Sequence, residues 1–380
     1  MANIIDYLEW RGDLTFLQSP FNAVDSLILC QLSYMTFDSI LTKEQYHAKL
    51  PLSDTITTLL VQTEQADKLA NTVMPQTPTD RAFLSALAKS KRFGSLLLTR
   101  YVNQIDYQAQ KQFSALTILT GDDTVYLAFR GTDDSLIGWK ENFNMSFLTP
   151  VPAQLAAVEY LEEAALAYPE ALRIGGHSKG GNLAVFASSF CDPSLQDWII
   201  DIYSHDAPGF DKKIIASKEY HKIRERIHSF VPQTSIIGML LEHQEAYTVV
   251  HSTNSGLMQH DPYSWEIKGT DFLRLESVDE DSKRIDQTLR SWINSIDYGQ
   301  RERFVNGLYE VLVAADIKSA FDLTTDGLKA VRPILKSMSQ LDEPTRKLIN
   351  QTVYALFRYA RLNLWKRDRP KKSRSSISLG

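Results

Sequence analysis

The chain has few cysteines and lacks the pattern of a metal site. Only two of its 380 residues are cysteines, Cys30 and Cys191, and both lie in apolar surroundings. We therefore expect two buried free thiols rather than a disulfide. No cysteines and histidines recur at metal-ligand spacing, so neither a metal nor another cofactor is expected.

Long apolar runs and an excess of basic charge are also missing. No stretch reaches the length of about 18 apolar residues that predicts a transmembrane helix. Residues 1–7 have neither the basic start nor the apolar stretch of a signal peptide, which favours a cytoplasmic protein. The formal net charge of -5 argues against a general nucleic-acid binder.

What the chain does contain is Gly-His-Ser-Lys-Gly at residues 176–180, which fits the G-x-S-x-G pattern of a nucleophile elbow. A mostly apolar segment, 171–174, predicts a strand before it, and residues 183–190 have helical spacing after it. The elbow places its serine on a strained turn and needs small residues on both sides. We therefore interpret Ser178 as a nucleophile. A glycine-rich turn with an incidental serine is the alternative.

Strand and helix patterns alternate through the middle of the chain, which predicts an α/β fold with a mostly parallel sheet and helices on both faces. A hairpin is expected at residues 113–130, around the turn signal at 121–123. The other predicted strands are 198–204, 227–231, 247–252 and 263–267, and the other predicted helices of this part are 139–147, 153–168 and 211–226.

Helical patterns prevail on either side of this core. We expect residues 1–110 to form a helical N-terminal region packed on the core, and residues 111–275 to form the core itself. Residues 276–365 are expected to be a helical C-terminal region, also packed on the core because no flexible linker precedes it. Residues 366–380 predict a basic, disordered tail, with weak contact to anionic lipid or nucleic acid as the alternative.

Three separated motifs resemble the class 3 lipases, the fungal triacylglycerol-lipase type. Residues 129–132, followed by Trp139, resemble their oxyanion segment. Residues 176–181 resemble their elbow, with Lys179 in place of the usual Leu, and residues 260–265 are similar to their terminal histidine segment. Order and rough spacing agree over about residues 110–270.

The whole chain also resembles a family of uncharacterised Gram-positive bacterial proteins with a lipase-like α/β-hydrolase core. The matching segments are residues 6–13, 206–210 and 231–238. The two resemblances imply an α/β-hydrolase-like fold. They leave the substrate open, because one fold hosts many functions.

The resemblance also implies roles for individual residues. Ser178 would attack the substrate, and His260, on a loop after the nucleophile, would transfer the proton. Thr132 and Lys179 would supply backbone N–H groups to an oxyanion hole, with the Thr132 hydroxyl as a further candidate donor. A strand-ending turn is the alternative interpretation of the Thr132 segment.

The acid of the triad departs from the lipase pattern. Ser229 stands where the class 3 lipases carry their acid. Asp206 is the best substitute, because it ends the strand after the elbow helix, where ligands bind in open α/β sheets. Asp206 could instead be a turn residue, and Glu242 and Asp261 are the other candidates for the acid.

Two functions follow from these motifs. The first is a serine hydrolase of carboxylic esters, acting on an acyl lipid or a small acyl ester through an acyl-enzyme. The apolar loop at residues 147–151 lies where a lid would cover an acyl group. The second is a non-catalytic α/β-hydrolase scaffold that binds a ligand or protein partner. Ser229 and the long helical extensions favour that alternative.

Overall fold

The protein is described here by a computed structural model. It describes residues 1–68, 77–133, 135–145, 147–235, 237–239, 241–279 and 297–314, and positions 336, 338, 342–347, 349–351 and 354. Residues 1–294 form one compact unit and residues 295–380 a second. The helices predicted at 281–295, 319–338 and 344–365 and the tail lie wholly or largely outside the described residues.

The described helices and strands follow the chain in the expected alternation. The helices are α1 (Ile4–Arg11), α2 (Ala23–Leu32), α3 (Leu52–Lys68), α4 (Pro78–Lys89), α5 (Leu136–Asn144), α6 (Pro152–Ala167), α7 (Lys179–Phe190), α8 (Lys212–Ile215), α9 (Lys218–Ile223) and α10 (Tyr298–Ala314). The strands are β1 (Leu50–Pro51), β2 (Leu97–Asp106), β3 (Lys111–Leu119), β4 (Thr124–Phe129), β5 (Ala171–His177), β6 (Ile199–His205), β7 (Ile227–Pro232), β8 (Tyr247–Val250), β9 (Ile267–Lys268), β10 (Asp271–Phe272) and β11 (Arg274–Leu275).

Short polar side chains fix where the N-terminal helices begin. The side chain of Asn3 accepts from the N–H groups of Ile5 and Asp6 at the start of α1, and Asp6 accepts from the Asn3 N–H. Asn22 and Asp25 repeat this reciprocal arrangement at α2. Each box satisfies backbone donors that the first turn of a helix leaves unpaired.

Among the described residues, nine strands form one sheet, in the order β1-β2-β3-β4-β5-β6-β7-β8-β11. The strands β4 to β8 run parallel to one another. The pairs on either side of them, β1 to β4 and β8 with β11, are antiparallel. The α/β fold with a largely parallel sheet is therefore confirmed.

Alternating side chains divide the core into the two faces of the sheet. Tyr126 and Ala128 of β4 join a cluster with residues of α1 to α4, which we call the N-terminal face. Val125 and Leu127 join the opposite cluster, with residues of α6, α7 and α9. Successive strand residues point to opposite faces, so each face buries its own half of the strand. Helices cover both faces, as the sequence predicts.

Two local expectations are corrected. Residues 97–106, expected within a helical region, form strand β2, which pairs with β3. A short apolar run such as Leu96 to Leu98 does not distinguish a helix from a strand. Residues 263–267, expected as a strand, overlap a 3₁₀ turn at Pro262–Ser264, and β9 begins only at Ile267. Asp261 accepts from the Tyr263 N–H and starts that turn.

Candidate active site

Ser178 lies at the sharp turn between β5 and α7. Its φ of 59° and ψ of -133° are strained for a residue with a side chain. A Cβ on Gly176 would lie 2.1 Å from the Gly180 carbonyl carbon, and one on Gly180 would lie 2.1 Å from the Phe129 oxygen. Small residues are therefore required at both positions, because strand and helix touch there.

Asp206 follows the neighbouring strand, β6, and also has a positive φ of 47°. Its carboxylate is buried, and Oδ2 lies 2.6 Å from Nδ1 of His260. The other oxygen, Oδ1, accepts from the Ser235 hydroxyl and from the Gly238 N–H at 3.1 Å. Two donors therefore orient the carboxylate and leave Oδ2 for the imidazole.

His260 ends a 3₁₀ helix, Gly256–His260, which two neighbours hold in place. The Trp265 indole N–H donates to the Gln259 carbonyl at 2.9 Å. His177 donates from Nε2 to the carbonyl of His260 at 2.8 Å, and the two imidazole centroids are 4.4 Å apart. His177 directly precedes Ser178, so the histidine loop and the elbow are in contact. Among the described residues, Ser178 Oγ and His260 Nε2 form no hydrogen bond.

His177 itself is a buried, neutral histidine. Burial, and then the imidazoles of His260 and His205, lower its pKa well below the usual range. Because Nε2 donates to a carbonyl, Nδ1 accepts, and the Tyr34 hydroxyl donates to it at 3.0 Å. Tyr34 follows α2, so the N-terminal helices reach the elbow directly. No local sequence pattern connects Tyr34 with His177.

The segment after β4 runs beside the nucleophile. A Cβ on Gly131 would lie 3.0 Å from Cβ of Ser178 and 2.6 Å from the His177 oxygen. Thr132, the next residue, has a buried hydroxyl with no hydrogen-bond partner among the described residues. Buried polar groups without a partner are rare and call for an explanation. The Thr132 hydroxyl is one of several such atoms in the described residues.

Lys179 has a feature that the motif did not predict. Its side chain is completely buried, and Nζ lies 2.9 Å from Oε2 of Glu141. The same ammonium donates to the main-chain and side-chain oxygens of Gln112, each at 2.7 Å. Burial lowers the pKa of Lys179, although Glu141 acts in the opposite direction. A lysine within an otherwise apolar and small-residue stretch was the available signal.

The remaining acid candidates have other contacts. The side chain of Asp261 accepts from the Tyr263 N–H, and Glu242 forms a backbone bridge with Phe210. Ser229 is buried within β7. The carboxylate that the structure brings to His260 is that of Asp206.

In the part of the chain that the structure describes, no three His, Cys, Asp or Glu side chains are grouped as metal ligands. None of the described helices has the length and apolar content that a bilayer crossing requires. Cys30 and Cys191 are both buried and form no disulfide.

The parallel part of the sheet carries a serine elbow at the end of β5. Beyond the end of β6, a carboxylate and a histidine are in contact. This arrangement defines an α/β-hydrolase-like fold. A family model identifies the family of the chain. Residues 87–310, which are more than half of the chain, match the Mbeg1-like model, so the chain belongs to the Mbeg1-like family. The Gram-positive source implied by the resemblance stays a prediction.

Solved structures of fungal lipases match parts of this chain. The native propeptide complex of Rhizomucor miehei lipase is 16% identical, with 52% of this chain and 67% of that chain covered and a TM-score of 0.32. Lip2 lipase of Yarrowia lipolytica is 11% identical, with 54% and 82% covered and a TM-score of 0.32. The lipase of Rhizopus microsporus var. chinensis is 14% identical, with 66% and 91% covered and the same TM-score of 0.32. No match was found among curated proteins. Likeness at this level says nothing about activity or substrate.

Proposed function

We propose that the chain is a serine hydrolase of carboxylic esters. Ser178 is the nucleophile, His260 the general base and Asp206 the residue that orients His260. Thr132 and the backbone N–H of Lys179 bind the oxyanion. The observation that carries the proposal is the 2.6 Å contact of Asp206 Oδ2 with His260 Nδ1, beside a serine at a strained elbow.

The reaction follows the acyl-enzyme route. Ser178 Oγ attacks the carbonyl carbon while His260 Nε2 takes its proton, and the negative charge moves to the carbonyl oxygen. The oxyanion collapses, the bond to the leaving oxygen breaks, and His260 gives its proton to the alcohol. Water then attacks the acyl-enzyme with His260 as the base, and the carboxylic acid is released. Asp206 holds the proton on Nδ1, so Nε2 is free to accept.

Exposed apolar side chains beside the oxyanion segment favour an acyl substrate. Trp139 and Phe143 of α5 have ring centroids 6.2 Å apart and are 41% and 42% exposed. Leu148, in the following loop, is 43% exposed. Apolar side chains of this kind can contact an acyl chain. An acyl lipid and a small acyl ester both fit this description.

The decisive test is labelling by a fluorophosphonate probe, which reacts with activated serines. The wild-type chain should be labelled at Ser178, identified by peptide mass spectrometry, and Ser178→Ala should not be labelled. Ser188→Ala is the matched control. Its hydroxyl lies in the same helix and donates to the Ala184 carbonyl, so labelling should persist. Rates on p-nitrophenyl acetate, butyrate, octanoate and laurate would then separate small esters from acyl lipids.

A folded wild-type chain that is neither labelled nor active on any of these esters would contradict the proposal. The non-catalytic scaffold would then be the better account. Labelling with turnover confined to the acetate ester would keep the hydrolase and exclude the acyl lipid.

A further inference from the structure

The buried Lys179–Glu141 pair lies directly behind the proposed nucleophile. Lys179 follows Ser178 in the chain, and both partners are inaccessible to solvent. The ammonium uses its three protons on Glu141 and on the two oxygens of Gln112. Nζ is thus fully occupied away from Ser178, so it is not a proton acceptor for the serine.

Glu141 connects this ammonium to three further elements. It belongs to α5, its Oε2 accepts from the Gln112 N–H of β3 at 3.0 Å, and its Oε1 accepts from the Ala153 N–H at the start of α6 at 2.9 Å. One carboxylate therefore joins α5, β3 and α6 to the first residue of α7. Each of these contacts is buried.

The helix α5 is in turn the continuation of the oxyanion segment. A Cβ on Gly138 of α5 would lie 2.9 Å from Oδ1 of Asp133 and 3.2 Å from Oε1 of Gln112. Asp133 accepts from the Ser135 N–H and pairs with Arg130 at 3.2 Å. Thr132 lies between Arg130 and Asp133. The contacts of α5 therefore fix the segment that carries Thr132.

The two proposed oxyanion donors come from different parts of the chain, and the ion pair connects both parts. We propose that Lys179 and Glu141 are positioning residues that hold the Thr132 segment against the elbow, so that the oxyanion hole is formed before substrate binds. This inference rests on the proposed hydrolase function. A preformed hole matters because its donors then need no rearrangement as charge develops.

The test uses Lys179→Met, which keeps the backbone N–H and most of the side-chain length but removes the charge. The rate constant kcat on a p-nitrophenyl ester and the rate of fluorophosphonate labelling should both fall by about 10-fold to 100-fold. KM should change by no more than about twofold, because ground-state binding is not altered. Glu141→Gln should act in the same direction.

The double variant Lys179→Met/Glu141→Gln separates positioning from stability. It leaves no buried charge unpaired, so its melting temperature should recover relative to either single variant. Its kcat should stay low, because the contacts between α5 and the elbow are still missing. If the single variants do not fold, the double variant alone gives the measurement of kcat.

A second buried ion pair provides the matched control. Arg92 and Asp25 are equally inaccessible, and neither belongs to the proposed site. Arg92→Met should lower the melting temperature while kcat per folded molecule stays at the wild-type value. Wild-type kcat in folded Lys179→Met and in the double variant would overturn the inference. So would an equal loss of kcat in Arg92→Met. A wild-type chain without labelling or turnover would instead refute the proposed function.

Discussion

Two regions of the molecule each contain an ion pair that solvent does not reach. In the N-terminal helices, the Arg92 guanidinium binds both oxygens of Asp25, at 2.7 and 2.5 Å. It also donates to main-chain carbonyls, among them those of Leu14 and Ser19 at 3.0 and 2.9 Å. At the elbow, the Lys179 ammonium binds one oxygen of Glu141 and two of Gln112.

The difference lies in what each cation holds together. Arg92 ties α2 to the loop between α1 and α2, and among the described residues neither Arg92 nor Asp25 hydrogen-bonds to a residue of the proposed site. Lys179 ties the residue next to the nucleophile to the helix that follows the oxyanion segment. Both pairs carry a desolvation cost, and breaking either leaves a buried charge unpaired. Loss of the Arg92–Asp25 pair should therefore lower stability alone, and loss of the Lys179–Glu141 pair should lower both stability and rate.

The largest effect expected near the elbow comes from Ser178→Ala. Removing Oγ should lower kcat on p-nitrophenyl esters by about 10⁶-fold, as for other serine nucleophiles. The fold should persist, because Ser178 Oγ forms no hydrogen bond among the described residues. Turnover and near-ultraviolet circular dichroism measure the two expectations. Activity that survives in a folded variant would refute the nucleophile assignment.

The next effect comes from Asp206→Asn. The amide can donate to Nδ1 of His260, which moves the imidazole proton to Nε2 and stops it from accepting from Ser178. The rate should fall by about 10⁴-fold. Stability should change little, because the amide oxygen can still accept from Ser235 and from Gly238. A lower melting temperature with a near-normal rate would instead make Asp206 a turn residue.

Arg92→Met tests the other side of the comparison. It leaves Asp25 as an unpaired buried carboxylate and several carbonyls without a donor. Unfolding in urea should show a loss of about 3–5 kcal/mol. The rate per folded molecule on p-nitrophenyl esters should not change. A rate that falls together with stability would mean that loss of either ion pair affects the site only by destabilising the whole fold.

Thr132→Val should lower the rate without lowering stability, which is the reverse of the pattern expected for Arg92→Met. Valine keeps the shape and the backbone N–H but lacks the hydroxyl, which has no hydrogen-bond partner among the described residues. The rate should fall by about 10²-fold, the effect of one lost oxyanion donor. Stability should stay the same or rise slightly, since an unsatisfied buried group is removed. An unchanged rate would limit Thr132 to its backbone N–H.

The smallest expected effect is a loss of stability at acidic pH. Burial lowers the pKa of His205 to about 3, and its ring contacts Ser26 of α2 while its carbonyl accepts from the Ser178 N–H. The pKa of His205 is lower in the folded chain than in the unfolded chain. The contribution of neutral His205 to the free energy of unfolding is therefore complete above about pH 6.5 and is lost as the pH falls toward 3. Between about pH 7.5 and pH 5, urea unfolding should show a loss of about 2 kcal/mol from this group.

Substitution of His205 tests that assignment. His205→Gln should flatten the pH dependence between about pH 7.5 and pH 5. His47→Gln, at an exposed site, should leave it unchanged. An unchanged slope in His205→Gln would assign the acid loss to other groups, of which His177 is the first candidate.

Local patterns predicted much of the fold and part of the site. Apolar, β-rich runs and turn residues predicted the strands around Gly121 and before the elbow, because these features depend on neighbours in sequence. The position of Asp206 at the end of the strand beside the elbow predicts that it lies near Ser178, because parallel strands place these ends at one edge of the sheet. The carboxylate contact with His260 follows from that topology.

The sequence could not predict contacts that depend on distant packing. Lys179 occupies a variable position of the motif, and its partner Glu141 lies 38 residues earlier, so no local pattern connects them. The Tyr34 hydroxyl meets His177 across 143 residues. The strand at 97–106 was missed because its apolar run fits both periodicities, and only pairing with β3 decides between them.

The contact of Tyr34 with His177 has a practical consequence for anyone who works with pieces of this chain. The region that matches the Mbeg1-like model begins at residue 87, after α1, α2 and α3. A fragment cut at that position would lose the tyrosine that reaches the elbow. It would also expose Leu116, Ile118 and Tyr126 of the N-terminal face to water. The boundary at which sequence similarity starts is thus not a boundary at which the chain can be cut.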